Sequence, residues 1–102
     1  MLLTIDIGNT NITLGLYKDG SLGPRWRLAT DLERMPDEYG LQIVGLLEHA
    51  ECSRKEIAGI CLASVVPTLT AKIAQACQDY LGHKPLIVDA GVKTGVRILY
   101  EN

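Results

Sequence analysis

Asp6, Gly8, Asn9, Thr10, Asn11 and Thr13 lie in the stretch Ile5-Asp-Ile-Gly-Asn-Thr-Asn-Ile-Thr13, where an apolar run is broken by one acid, one glycine and short polar residues. Their types fit the binding of a metal-bound phosphate. Asp6 ends an otherwise apolar strand, where an unpaired carboxylate is costly to bury. It is better placed facing a cleft, against a cation or a hydrogen-bond donor. Gly8 lets the backbone turn so that successive N–H groups converge on an anion. Asn9, Thr10, Asn11 and Thr13 add short neutral donors. An acid for the metal beside donors for phosphate is what a Mg-nucleotide requires. The competing reading is a plain hairpin, because Gly8-Asn9 is a good two-residue turn.

Other chemistry-bearing residues form no constellation. The better-known phosphate signatures G-x-x-x-x-G-K-[ST] and G-x-G-x-x-G are absent, and Lys93-Thr94 between Gly91 and Gly95 lacks the first one's spacing. His49 and His83 stand apart from any Cys or acid cluster. Cys52, Cys61 and Cys77 are odd in number and not at metal-ligand spacing, and the apolar surroundings of Cys61 and Cys77 mark them as small core residues. Ser64 could reach a cleft from the end of a strand or serve the start of the following helix.

These residues need a scaffold, and 102 residues supply one domain. With 47% apolar residues and few aromatics, its core is aliphatic. The net charge of −2, with Lys and Arg scattered, argues against binding a nucleic-acid backbone. No apolar run approaches a membrane span and no signal peptide is evident, so a cytoplasmic location is expected.

Along the chain, Leu2 to Ile7 reads as a first strand. Ile12, Leu14 and Leu16 alternate with Thr13, Gly15 and Tyr17 as a second, and Lys18-Asp19-Gly20 gives a turn. Leu22 to Thr30 forms a third, with Trp26 and Leu28 on one face and Arg25 and Arg27 on the other, as suits a sheet edge. Pro36, Asp37 and Glu38 then start a helix with Tyr39, Ile43, Leu46, Leu47 and Ala50 inward, which Gly40 and Gly45 weaken by about 1 kcal/mol each. Ile57 to Ala63 is a strand buried on both faces. Pro67 opens a second helix, with Leu69, Ile73, Ala76, Cys77 and Tyr80 inward and Gly82 as its stop. Pro85 to Val88 is a fifth strand, and Val96 to Tyr100 a short extended piece. A meander followed by two crossovers predicts an α/β fold with a mixed five-stranded sheet, the order of a ribonuclease-H-like domain.

Four segments carry a more specific resemblance. DIGNTNITLG at Asp6–Gly15, RWRLAT at Arg25–Thr30, ASVVP at Ala63–Pro67 and TGVRILYEN at Thr94–Asn102 resemble, in order and over the whole chain, the type III pantothenate kinases. That family belongs to the actin-like, sugar-kinase and heat-shock-ATPase superfamily. The resemblance implies strand order 3-2-1-4-5 with flanking helices. It also implies ATP-dependent phosphorylation of pantothenate to 4'-phosphopantothenate in coenzyme A biosynthesis, with Mg2+ and a monovalent cation (K+ or NH4+). By the same resemblance Asp6 orients the metal-bound phosphates. Gly8, Asn9, Thr10 and Asn11 form the first phosphate loop, with Thr13 beside it, and Tyr100 lines the pantothenate site. The parent protein is expected to be a cytoplasmic homodimer.

The family pattern continues with a proline and then Gly-x-Asp-Arg, whose aspartate is the general base. No catalytic residue is therefore expected within residues 1–102, which read as the single N-terminal domain of a two-domain kinase lacking its last helix. Such a piece should be inactive alone and should leave apolar surface on one sheet face. Two other readings share features. A ribonuclease-H-like nuclease needs further carboxylates near Asp6 for paired metals; Ala63-Ser64-Val65 offers none and Asp89 is the remaining option. A non-catalytic transcriptional accessory role would act through protein partners.

Overall fold

The computed structural model describes residues 1–89. Its centre is a five-stranded sheet of order β3-β2-β1-β4-β5, built from β1 (Leu2–Ile7), β2 (Asn11–Lys18), β3 (Ser21–Ala29), β4 (Gly59–Ser64) and β5 (Leu86–Asp89). The first three strands are antiparallel; β4 runs parallel to β1, and β5 parallel to β4. This is the expected mixed sheet and the topology of the actin-like, ribonuclease-H-like fold.

Helices α1 (Pro36–His49) and α2 (Pro67–Ala76) supply the two crossovers. Both pack on the face formed by Leu3, Ile5, Ile7, Ile12, Leu14, Leu16, Ile60 and Leu62. Tyr39, Ile43 and Leu47 of α1 and Leu69, Ile73 and Ala76 of α2 complete this core, which follows the period of 3.6 in each helix. Leu46 and Ala50 pack at its margin, half-buried.

Local chemistry explains the connections. Asp19 and Gly20 both adopt positive φ, 52° and 79°, as a two-residue hairpin turn between β2 and β3 requires. The β2–β3 register slips between Gly15 and Tyr17, where β3 holds one extra residue around Gly23-Pro24. A proline, lacking an N–H, is tolerated there because the strand is both bulged and at the edge. The carboxylate of Glu38 accepts from the Met35 N–H at 3.0 Å, capping α1 behind Pro36.

β3 lies one residue earlier than the sequence reading, at Ser21–Ala29, and three other boundaries differ from it. Residues Arg54–Glu56 form a 3-10 turn, so β4 begins at Gly59, and Ile57 is buried as the residue that closes the turn. The second helix widens into a π turn over Cys77–Leu81 before Gly82 stops it at φ 73°. The wider turn brings Leu81 into the core and leaves Tyr80 half-buried, with its hydroxyl donating to Asp37 at 2.8 Å. β5 starts one residue later than expected, after Pro85.

All three cysteines are buried and free. Burial raises each thiol pKa, that of Cys77 to about 12, with the Glu56 charge adding to the effect at Cys52. A thiol reagent should therefore modify the native chain only as fast as the fold opens, with all three sites titrating rapidly in denaturant. Fast stoichiometric labelling of any one in the native state would contradict this placement.

The opposite face of the sheet, bearing Leu2, Thr4, Asp6, Thr13, Tyr17, Arg25, Arg27, Cys61 and Leu86, is covered by neither α1 nor α2. On this face Leu22 and Leu86 are 42% and 58% exposed, whereas Cys61 is buried.

Candidate functional site

Strand pairing brings the amino-terminal polar residues together. Asp6 sits opposite Thr13 on β2 and Ala63 on β4, and Thr13 in turn sits opposite Arg27 on β3. Arg27, Thr13, Asp6, Ala63 and Val88 therefore form one row across the sheet, pointing away from the helices. Asn11 lies two residues from Thr13 on the same face. Asp6, Asn11, Thr13 and Arg27 are all exposed. The Asp6 carboxylate thus pays no burial cost, and among the described residues no side chain hydrogen-bonds or ion-pairs with it. That exposure is why an acid is tolerated in an otherwise apolar strand.

The residues between β1 and β2 form the hairpin loop Gly8-Asn9-Thr10. It closes through the Gly8 N–H, which donates to the Asn11 carbonyl at 2.9 Å. That oxygen would lie 3.1 Å from a Cβ at position 8, so glycine permits the close approach. Asn9 and Thr10 are exposed, and among the described residues no acceptor meets their N–H groups. The backbone is a hairpin, and its tip lies beside the exposed Asp6 carboxylate.

A residue not singled out in the sequence holds this tip. Thr30, just after β3, donates its hydroxyl to the Gly8 carbonyl at 2.7 Å and its N–H to the Thr10 carbonyl at 3.0 Å. Its neighbour Asp31 is fixed in turn by Tyr39, whose buried phenol accepts from the Asp31 N–H (3.0 Å) and donates to the Asp31 carbonyl (2.6 Å). In the sequence Thr30 is only the residue ending an alternating pattern; its partners are 20 or more positions away. The sequence likewise marks Arg27 only as an edge-strand charge, and strand pairing sets it in register with Thr13.

Ser64 serves the helix start. Its row is that of Ile7, and its hydroxyl accepts from the Val66 N–H at 2.9 Å and donates to the Val66 carbonyl at 3.1 Å. Asp89 occupies that same row, one residue out of step with Asp6. Among the described residues, no three His, Cys, Asp or Glu side chains gather to hold a metal ion. Tyr100, Lys93, Thr94, Gly91, Gly95 and the extended piece Val96 to Tyr100 lie outside the described residues.

A crystal structure of a candidate N-acetylglucosamine kinase from Porphyromonas gingivalis superposes with a TM-score of 0.63. It covers 87% of this chain and 34% of its own, at 16% identity, and so speaks to the fold alone. A type III pantothenate kinase from Moorella thermoacetica is 48% identical over 102 residues. The match takes in the whole of this chain but 40% of that relative's length. The family model for type III pantothenate kinase matches residues 2–102, and the chain belongs to that family.

Proposed function

We propose that this chain is the phosphate-binding N-terminal domain of a two-domain, ATP-dependent pantothenate kinase that makes 4'-phosphopantothenate. The observation that carries the reading is the exposed Asp6 carboxylate, without a partner among the described residues, beside a hairpin tip whose Asn9 and Thr10 N–H groups meet no acceptor among them. In this reading Gly8, Asn9, Thr10 and Asn11 bind phosphate oxygens, and the Thr13 hydroxyl adds a donor from the same face as Asp6. Tyr100 lines the pantothenate site by its match to the family motif.

The donor set suits magnesium better than an ion that wants an all-protein cage. Mg2+ is commonly held through one or two carboxylates, with phosphates and water completing its shell, and a single exposed Asp6 meets that need. When bound, the ion would neutralise charge on the phosphates. Asp6 would hold it in place, the loop amides would orient the phosphate chain, and Arg27 adds positive charge two strands from Asp6, about 10 Å away. A monovalent cation, a homodimeric parent and a downstream aspartate as general base belong to the same reading and rest on the family.

Phosphoryl transfer works by positioning both reactants together, so one side of a cleft should not suffice. The full-length gene product should convert pantothenate to 4'-phosphopantothenate with ATP and Mg2+, and residues 1–102 alone should not. Formation of product by the purified 102-residue chain would overturn the division of labour. Failure of the full-length protein to consume ATP with pantothenate would overturn the activity.

A further inference from the structure

The Gly8–Thr10 tip is tied to the third strand more firmly than a hairpin needs. A three-residue loop is already closed by the Gly8 N–H bond to Asn11. Thr30 adds two further bonds, one to the carbonyl on each side of Asn9-Thr10. A trans peptide holds its C=O and N–H in opposite directions. Turning the Gly8 carbonyl toward Thr30 therefore turns the Asn9 N–H away from it, and the Thr10 carbonyl does the same for the Asn11 N–H. The effect is to withdraw two carbonyl oxygens, which would repel an anion, and to present amide donors on the other side.

We infer that Thr30 is a positioning residue for the nucleotide phosphates, acting through the Gly8 and Thr10 carbonyls rather than by touching the ligand. The inference rests on the phosphate reading of the loop and deepens it. It also assigns a purpose to the second layer. Tyr39, fully buried in α1, fixes both backbone groups of Asp31, so the clamp is anchored in the core and not on a free strand end. Donors held before the ligand arrives lose less on binding than donors that must be ordered by it.

Thr30→Val keeps the shape and the backbone N–H but removes the hydroxyl, whereas Thr30→Ser keeps the hydroxyl. In the full-length gene product, Thr30→Val should raise both the Kd for Mg-ATP, measured by titration calorimetry, and the KM for ATP by about 3- to 10-fold, as loss of one hydrogen bond predicts. The KM for pantothenate should stay within twofold, and Thr30→Ser should restore ATP affinity. Hydrogen exchange of the two bonded amides, those of Gly8 and residue 30, should quicken in Thr30→Val and stay near wild type in Thr30→Ser. Wild-type ATP affinity in Thr30→Val, or equal losses for both substrates, would overturn the positioning role. If the wild type itself binds no ATP, the phosphate reading falls and the role with it. Unchanged exchange in Thr30→Val would overturn the clamp even where ATP binds.

Discussion

Asp6→Asn should lower turnover of the full-length protein by about two to three orders of magnitude while leaving its melting temperature within a degree or two. Both halves of that expectation come from the same observation. The carboxylate is exposed on the open sheet face and has no hydrogen-bond or ion-pair partner among the described residues. An isosteric amide there breaks no contact, and surface changes of that kind usually stay within about 0.5 kcal/mol. Catalysis is another matter, because metal-assisted charge stabilisation is worth several kcal/mol and each 1.36 kcal/mol is tenfold in rate. Loss of about 3–4 kcal/mol gives the predicted range. Steady-state rates at saturating pantothenate over a series of Mg2+ concentrations would test it. Turnover within threefold of wild type would remove Asp6 from the site, and a large fall in melting temperature would make its role structural.

The sequence carried most of this architecture because its signals were local and mutually consistent. Alternation in Ile12–Tyr17, the Asp19-Gly20 turn, Pro36 and Pro67 at helix starts and Gly82 at a helix stop each reflect short-range sterics. The hairpin at Gly8–Thr10 was legible for the same reason, its turn residues being contiguous. What stayed hidden depends on long-range pairing. Thr30 reaches residues 20 and 22 positions earlier, and Arg27 joins the site only through the β2–β3 register. The π turn at Cys77–Leu81 was hidden too, since Tyr80 continues the helical stripe perfectly well in one dimension. The ring's place is set by its contact with Gly40 and its hydrogen bond to Asp37, both remote in sequence.

That partnership reverses the expectation for Gly40. A glycine inside a helix costs about 1 kcal/mol relative to alanine, so replacing either glycine of α1 should help on propensity alone. At Gly45 nothing lies within 4 Å of a new Cβ, and Gly45→Ala should stabilise by up to about 1 kcal/mol. At Gly40, which is buried, the same methyl would lie 2.6 Å from Cγ of Tyr80, well inside contact distance. Overpacking of this kind costs about 1–3 kcal/mol, which outweighs the propensity gain. Gly40→Ala should therefore destabilise by about 1–2 kcal/mol, a fall of roughly 4–16 °C in melting temperature for a domain of this size. The cost can be relieved only if the Tyr80 ring swings away, and that movement breaks its hydrogen bond to Asp37. The hydrogen bond, with the neighbouring Asp37 and Asp79 charges, holds the phenol pKa above its ordinary value. Its contribution to stability is present below the unfolded pKa and is lost as pH rises through the folded one. In Gly40→Ala the phenol should titrate at lower pH than in the wild type, as read by ultraviolet absorbance. Denaturation of the two single variants and the pair Gly40→Ala with Tyr80→Ala closes the cycle. A coupling of 1 kcal/mol or more is expected, and a coupling near zero would mean that the ring and the glycine do not constrain each other.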